Sequence, residues 1–144
     1  MTISDYSNAS HLHANSAIIQ QRWPDLWKRL STPPEWTHQI HLENTPQTTI
    51  SVDGMRLSSG FNRRQEAHIQ AQAIPEDHSE AWVYGVGIGD LIRVLITRET
   101  IRKLHVVIIN APLFMSLIQR LDFTDWLHEP RITLEDRTDH GIIP

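Results

Sequence analysis

The chain of 144 residues contains no cysteine, which excludes disulfides, thiolate metal sites and cysteine nucleophiles at once. No apolar run approaches the ~20 residues that a bilayer-spanning helix needs. The N-terminus, Met1-Thr2-Ile3-Ser4-Asp5-Tyr6, lacks the basic region and apolar core of a secretory signal. Long runs of one charge are missing as well. With a formal net charge of −4 and no basic cluster, neither nucleic acid nor an anionic membrane surface is an expected partner. No internal repeat or low-complexity linker divides the sequence. These absences leave a soluble, cytoplasmic protein of one domain spanning 1–144, long enough to bury a core. Apolar residues make up 40 % and charged residues 21 %, a little below the usual apolar share.

The rest of the chain is organised around Glu80-Ala81-Trp82-Val83-Tyr84-Gly85-Val86-Gly87-Ile88-Gly89-Asp90-Leu91-Ile92-Arg93-Val94-Leu95. A short apolar run feeds three alternating glycines, and an amphipathic segment follows. That order predicts a strand, a tight turn and a helix, as at the first turn of a Rossmann-like unit. Lys103 to Ile109 is nearly continuous apolar sequence and reads as the neighbouring buried parallel strand. Pro112 opens a helix with Leu113, Phe114, Leu117, Ile118 and Leu121 on its buried side. Phe123 to His128 is a short turn or helix, and Arg131 to Glu135 a last strand. The expected fold is therefore α/β, a right-handed βαβαβ parallel core over about residues 62–140.

Upstream, at about 10–61, a helical and hairpin region is expected. Residues 1–10 are polar and read as a loose arm. His11 to Gln21, with Leu12, Ile18 and Ile19, suggests a helix that Pro24 breaks and restarts. The second helix ends before Pro33-Pro34. His38 to Glu43, Thr48 to Val52 and Met55 to Ser58 then alternate in polarity, as half-buried strands do. Asp53-Gly54 between the last two is a hairpin signal. Asn62 is placed to cap a helix from Arg63 to Ala73, which Pro75 closes. Its apolar face (Ala67, Ile69, Ala71, Ala73, Ile74) is modest. A sheet this small leaves edges to be covered. The segment bearing Trp23 and Trp27 is expected to cover one, and a second copy of the chain, as a homodimer, another.

Four pieces of sequence carry a resemblance. They are Ser58-Ser59-Gly60-Phe61-Asn62-Arg63-Arg64-Gln65-Glu66-Ala67, then Tyr84-Gly85-Val86-Gly87-Ile88-Gly89, then the strand ending at Asn110, and finally Leu121-Asp122-Phe123-Thr124-Asp125-Trp126-Leu127. In this order they resemble the N-terminal domain of the motility accessory factor (Maf) family, the flagellin glycosyltransferases. That family shows a polar segment before a helix, a Gly-x-Gly-x-Gly turn, an acidic residue closing the next strand and an Asp-Phe-Ser/Thr step. It usually has Glu-Pro where this chain has Asn110-Ala111-Pro112. The family's sugar-transferring part lies downstream of the region resembled, and this chain stops at Pro144. The resemblance implies either a stand-alone domain or a piece of something longer. It implies a non-catalytic interaction module, with flagellin or the flagellar glycosylation machinery as partner.

Gly85, Gly87 and Gly89 are the candidate ligand cradle, because missing side chains let a ligand approach and backbone N–H groups attract anions. Asp90 would stand as a carboxylate beside any phosphate, which favours a nucleoside over a pyrophosphate. The alternating glycines are closer to the S-adenosylmethionine turn than to the dinucleotide form. The methyltransferase pattern places an acid two residues before the first glycine, and here that residue is Val83. Asn110 stands where a ribose-gripping carboxylate belongs, and an amide offers only one neutral acceptor oxygen there. Asp136, after the last strand, is where such enzymes often read adenine. No cofactor is therefore expected; the alternative is a small enzyme domain binding S-adenosylmethionine or a nucleotide. Nine histidines raise the question of metal, but His11/His13 and His38/His41 lack ligand spacing. Ser58-Ser59 has no histidine motif and no Gly-x-Ser-x-Gly elbow.

Overall fold

The structure, a computed structural model, describes residues 9–31, 40–43, 49–52, 55–56 and 63–136. Helices α1 (Ala9–Arg22) and α2 (Pro24–Leu30) come first. Strands β1 (Ile40–Glu43), β2 (Thr49–Val52) and β3 (Met55–Arg56) form an antiparallel sheet in that order. Helix α3 (Arg63–Ala71) leads to β4 (Glu80–Tyr84), α4 (Asp90–Leu95) and β5 (Lys103–Ile108). Helices α5 (Ala111–Arg120) and α6 (Thr124–Leu127) then precede β6 (Ile132–Asp136). Strands β4, β5 and β6 lie side by side in sequence order, all parallel. The fold is α/β, an open parallel sheet with helical crossovers and a Rossmann-like core.

Local chemistry accounts for the boundaries. Trp23, at φ −137° and ψ 67°, interrupts the helical path, and Pro24 restarts it at the first position of α2. Asn110 is the N-cap of α5: its side-chain oxygen accepts from the Leu113 N–H at 3.0 Å, and Pro112 sits in the first turn. Several elements depart from the sequence reading by a turn or less. Ala9 and Ser10 are helical rather than part of an arm, α3 stops at Ala71, and β6 extends to Asp136. Ile69, expected on the inner face of α3, is 59 % exposed, and Ala67 and Ala71 face inward instead. The β2–β3 pairing joins Val52 to Met55, as a two-residue hairpin requires. The Asp53-Gly54 turn itself, the Asn62 cap, Trp36, His38 and Ser58-Ser59 lie outside the described residues.

The parallel sheet sends Ala81, Val83, Leu104, Val106, Ile108, Ile132 and Leu134 into the main core. Ile92 and Leu95 of α4, Phe114 and Leu117 of α5, and Trp126 and Leu127 of α6 meet them there. Burial of each such side chain stabilises the fold by about 1.5–3 kcal/mol. β5 is buried on both faces, with His105 and Val107 turned away from that core. β4 is not: Trp82 and Tyr84 are exposed on the same side.

Helix α1 docks through polar groups as well as apolar ones. Asn15 is completely buried, and its amide donates to Ile118 O at 2.9 Å and Leu121 O at 2.7 Å. Its oxygen accepts from the Phe123 N–H at 3.0 Å. One side chain thus satisfies the carbonyls at the end of α5 and the amide leading into α6, groups that the helices leave orphaned. Arg22 does the same for the loop before β6, donating to Leu127 O at 2.6 Å, Glu129 O at 2.9 Å and Ile132 O at 2.9 Å.

Asn15→Leu would keep the volume but strip partners from three buried backbone groups. It is expected to lower the unfolding free energy by about 3 kcal/mol, read as a shift of the urea midpoint at constant slope. A second expectation concerns acid. The hydrogen bond from Arg131 holds the Glu129 carboxyl below the usual range, and the Thr124 hydroxyl does the same for Asp122. Both folded pKa values lie below the unfolded ones, so this stability is present in full above the unfolded value, about 4. It is lost as pH falls through the folded value. Thermal midpoints are expected to drop below about pH 4, and Glu129→Gln to flatten part of that drop.

Candidate functional site

The three glycines after β4 all adopt positive φ, at 91° for Gly85, 55° for Gly87 and 90° for Gly89. The turn closes with Gly89 N–H donating to Val86 O at 3.0 Å, and α4 begins at once. The three positions are unequal. A Cβ on Gly89 would stand 3.0 Å from the Arg93 guanidinium and 3.1 Å from the Trp126 indole nitrogen. At Gly87 nothing lies within 4 Å, so that position faces open space.

Arg93 is the strut behind the turn. It donates to Ile88 O at 2.9 Å and Asp122 O at 3.2 Å, and its Nε is 2.7 Å from the Asp125 carboxylate. Asp90, in the first turn of α4, lies 3.6 Å from the same guanidinium. The carboxylate expected to repel a phosphate is therefore partly offset by a cation one helical turn away.

The turn opens onto a cavity of about 410 Å³. Gly85, Gly87, Gly89 and Asp90 line one end, Trp82 and Tyr84 one side, and Glu66, Ala67, Gln70 and Ile74 from α3 and its exit the other. α3 is held in place from below by Arg98, which donates to Ala71 O and Ile74 O, each at 2.8 Å. Two of the expected site residues do not line this cavity. Asn110 spends its side-chain oxygen on the α5 cap. Asp136, on the far strand of the sheet, receives Arg29 Nε at 2.8 Å and so ties α2 to β6. The cavity lies against the outer side of β4, away from β5 and Asn110.

A second constellation had no signal in the sequence. His105 on β5 stacks on Trp82, with ring centroids 4.5 Å apart and planes 3° from parallel. Its Nε2 is 2.6 Å from Glu80 on β4, and its Nδ1 bonds Glu135 on β6. Donating to both carboxylates takes both ring N–H groups, so the imidazole clasps all three strands and leaves no nitrogen for a substrate. The only hint was that β5 carries one histidine inside an otherwise apolar run. Beside it a cavity of about 420 Å³ opens between β6 and the α1–α2 junction, lined by Trp23, Arg29, Lys103 and Thr133 among others. Among the described residues no group of three His, Asp or Glu side chains is placed to hold a metal ion, and no helix is long and apolar enough to cross a membrane.

With this geometry in place the comparisons fall into order. No protein-family model matches the sequence, and no curated protein matches it. Among solved structures, the Maf glycosyltransferase from Magnetospirillum magneticum AMB-1 is similar in fold, with a TM-score of 0.61 at 13 % sequence identity. The match covers 90 % of this chain and 27 % of that one. This chain thus shares its fold with a fraction of a longer protein.

The turn geometry orders three substitutions. Gly89→Ala is expected to cost at least about 2 kcal/mol, from positive φ together with a backbone-close clash. Gly87→Ala is expected to cost about 1 kcal/mol, the conformational term alone, with Gly85→Ala between them. Chemical denaturation of the three variants reads this order directly.

Proposed function

We propose that this chain is a non-catalytic accessory domain, related to the N-terminal part of flagellin-glycosylating Maf proteins, that works through contacts with protein. The observation that carries this reading is the use of the candidate cofactor positions for structure. Asn110 caps a helix and Asp136 holds α2, so the ribose and adenine positions are already engaged. The His105 clasp supports the same reading, since both ring nitrogens are bound to carboxylates. The fold likeness to a Maf glycosyltransferase agrees with it, and flagellin, a protein of its glycosylation machinery or a second copy of the chain are the partners proposed. Motility is the proposed setting.

A second reading has one observation in its favour. The cavity over the glycine turn, about 410 Å³, falls within the size range of small-molecule sites, and Gly87 leaves space for a ligand. A nucleoside or S-adenosylmethionine is the ligand that reading names.

Calorimetry on the purified chain separates the two. S-adenosylmethionine, NAD and adenosine are expected to give no binding heat up to millimolar concentration. Micromolar binding of any of them would replace the first reading by the second. Asn110→Glu is expected to bind none of them either, and to lose about 1 kcal/mol of stability with the α5 cap.

A further inference from the structure

We propose that the outer edge of β4 and the facing side of α3 form a groove that receives an extended, basic polypeptide segment as an added strand. The proposal rests on the reading of the chain as a protein-contact domain and names the mode and chemistry of that contact.

The ladder to β5 fixes which main-chain groups are used. Gly85 N–H donates to Val107 O at 2.9 Å, and Ser79 O accepts from the N–H groups of Arg102 and Lys103 at 2.7 and 3.1 Å. Residues 79, 81, 83 and 85 therefore face β5. By the two-residue period of a strand, the N–H and C=O of Trp82 point the opposite way, out of the sheet. Among the described residues β4 pairs only with β5, so this is a sheet edge. Such an edge is a template for another strand.

The cavity runs along that edge. A strand laid there would alternate its side chains between two walls. One wall is the exposed aromatic pair Trp82 and Tyr84, at 42 % and 61 % exposure. The other is the small and apolar side of α3 and its exit, Ala67, Ala73 and Ile74. Glu66 and Asp90 are the charged residues lining the groove, and among the described residues no Lys, Arg or His lines it. Electrostatic complementarity then selects a basic segment over an acidic one. A helical ligand would leave the outward main-chain groups of Trp82 unused, and a phosphate would meet the two acids.

The test is selection of a random nonapeptide library on the intact chain. Enriched peptides are expected to alternate apolar residues and to carry Lys or Arg. N-methylating each amide of a selected peptide in turn is expected to weaken binding about tenfold at alternate positions, one main-chain hydrogen bond at a time. Amide resonances of Trp82 and Gln70 should shift on binding. Glu66→Lys should weaken binding, and Gln70→Trp should block it, while both variants keep the circular dichroism spectrum of the parent. No enrichment, enrichment of acidic peptides, or binding indifferent to N-methylation would overturn the proposal. Micromolar binding of S-adenosylmethionine or NAD would instead remove the reading beneath it, so the two failures are distinguishable.

Discussion

The guanidinium of Arg93 is the interaction on which the geometry of the glycine turn depends. It reaches from α4 to the carbonyl of Ile88 inside the turn, to the carbonyl of Asp122 and to the carboxylate of Asp125. It also lies 5.9 Å above the ring of Phe123. One planar cation with five donors can hold a turn and a helix corner at once, which a lysine could not. The space it occupies, together with the Trp126 indole, is the space a Cβ on Gly89 would need. The glycine and the arginine are two halves of one constraint. The ion pair itself is partly solvated and weak; the hydrogen bonds to carbonyls in the half-buried corner are the stronger part.

The same device recurs across the helical layer. Arg98 satisfies carbonyls at the end of α3, Arg22 those of the loop before β6, and Arg131 donates to Ile96 O, Arg98 O and Ile101 O. Asn15 completes the set with a fully buried amide. Helix ends and loops carry orphan carbonyls, and burying them unpaired would cost about 1–3 kcal/mol each. Long polar side chains from neighbouring elements remove that cost and fix the loops in place. The frame around the β4–α3 groove is therefore firm on both sides, while the Trp82 and Tyr84 wall stays exposed.

This arrangement bears on function. A fold with crossovers at the ends of parallel strands usually binds ligands in the crevice between adjacent strands. Here the residues at that crevice are engaged in capping, and the open volume lies instead along the strand edge. Recognition of an extended chain suits that geometry better than recognition of a cofactor. The shared fold with part of a glycosyltransferase agrees with a domain that accompanies chemistry performed elsewhere.

The strand–turn–helix order, the run of the buried β5 and the proline and asparagine boundaries were legible in the residues, because each rests on local backbone chemistry. Glycines at positive φ, a cap before Leu113 and a restart at Pro24 need no knowledge of the far chain. The inner face of α1 was not legible, since Asn15, Ser16 and Arg22 stand where a pattern reader looks for apolar residues. Their partners lie more than 100 positions away. The His105 clasp was hidden for the same reason: Glu80, His105 and Glu135 meet only once three strands are set in register. The glycine turn was placed by sequence, but its cavity was not, because α3 approaches β4 through Arg98 and small alanines that carry no periodic signal. Local conformation was determined by the residues alone. Which groups share a site was decided by tertiary packing, because hydrogen bonds between distant elements leave no trace in spacing.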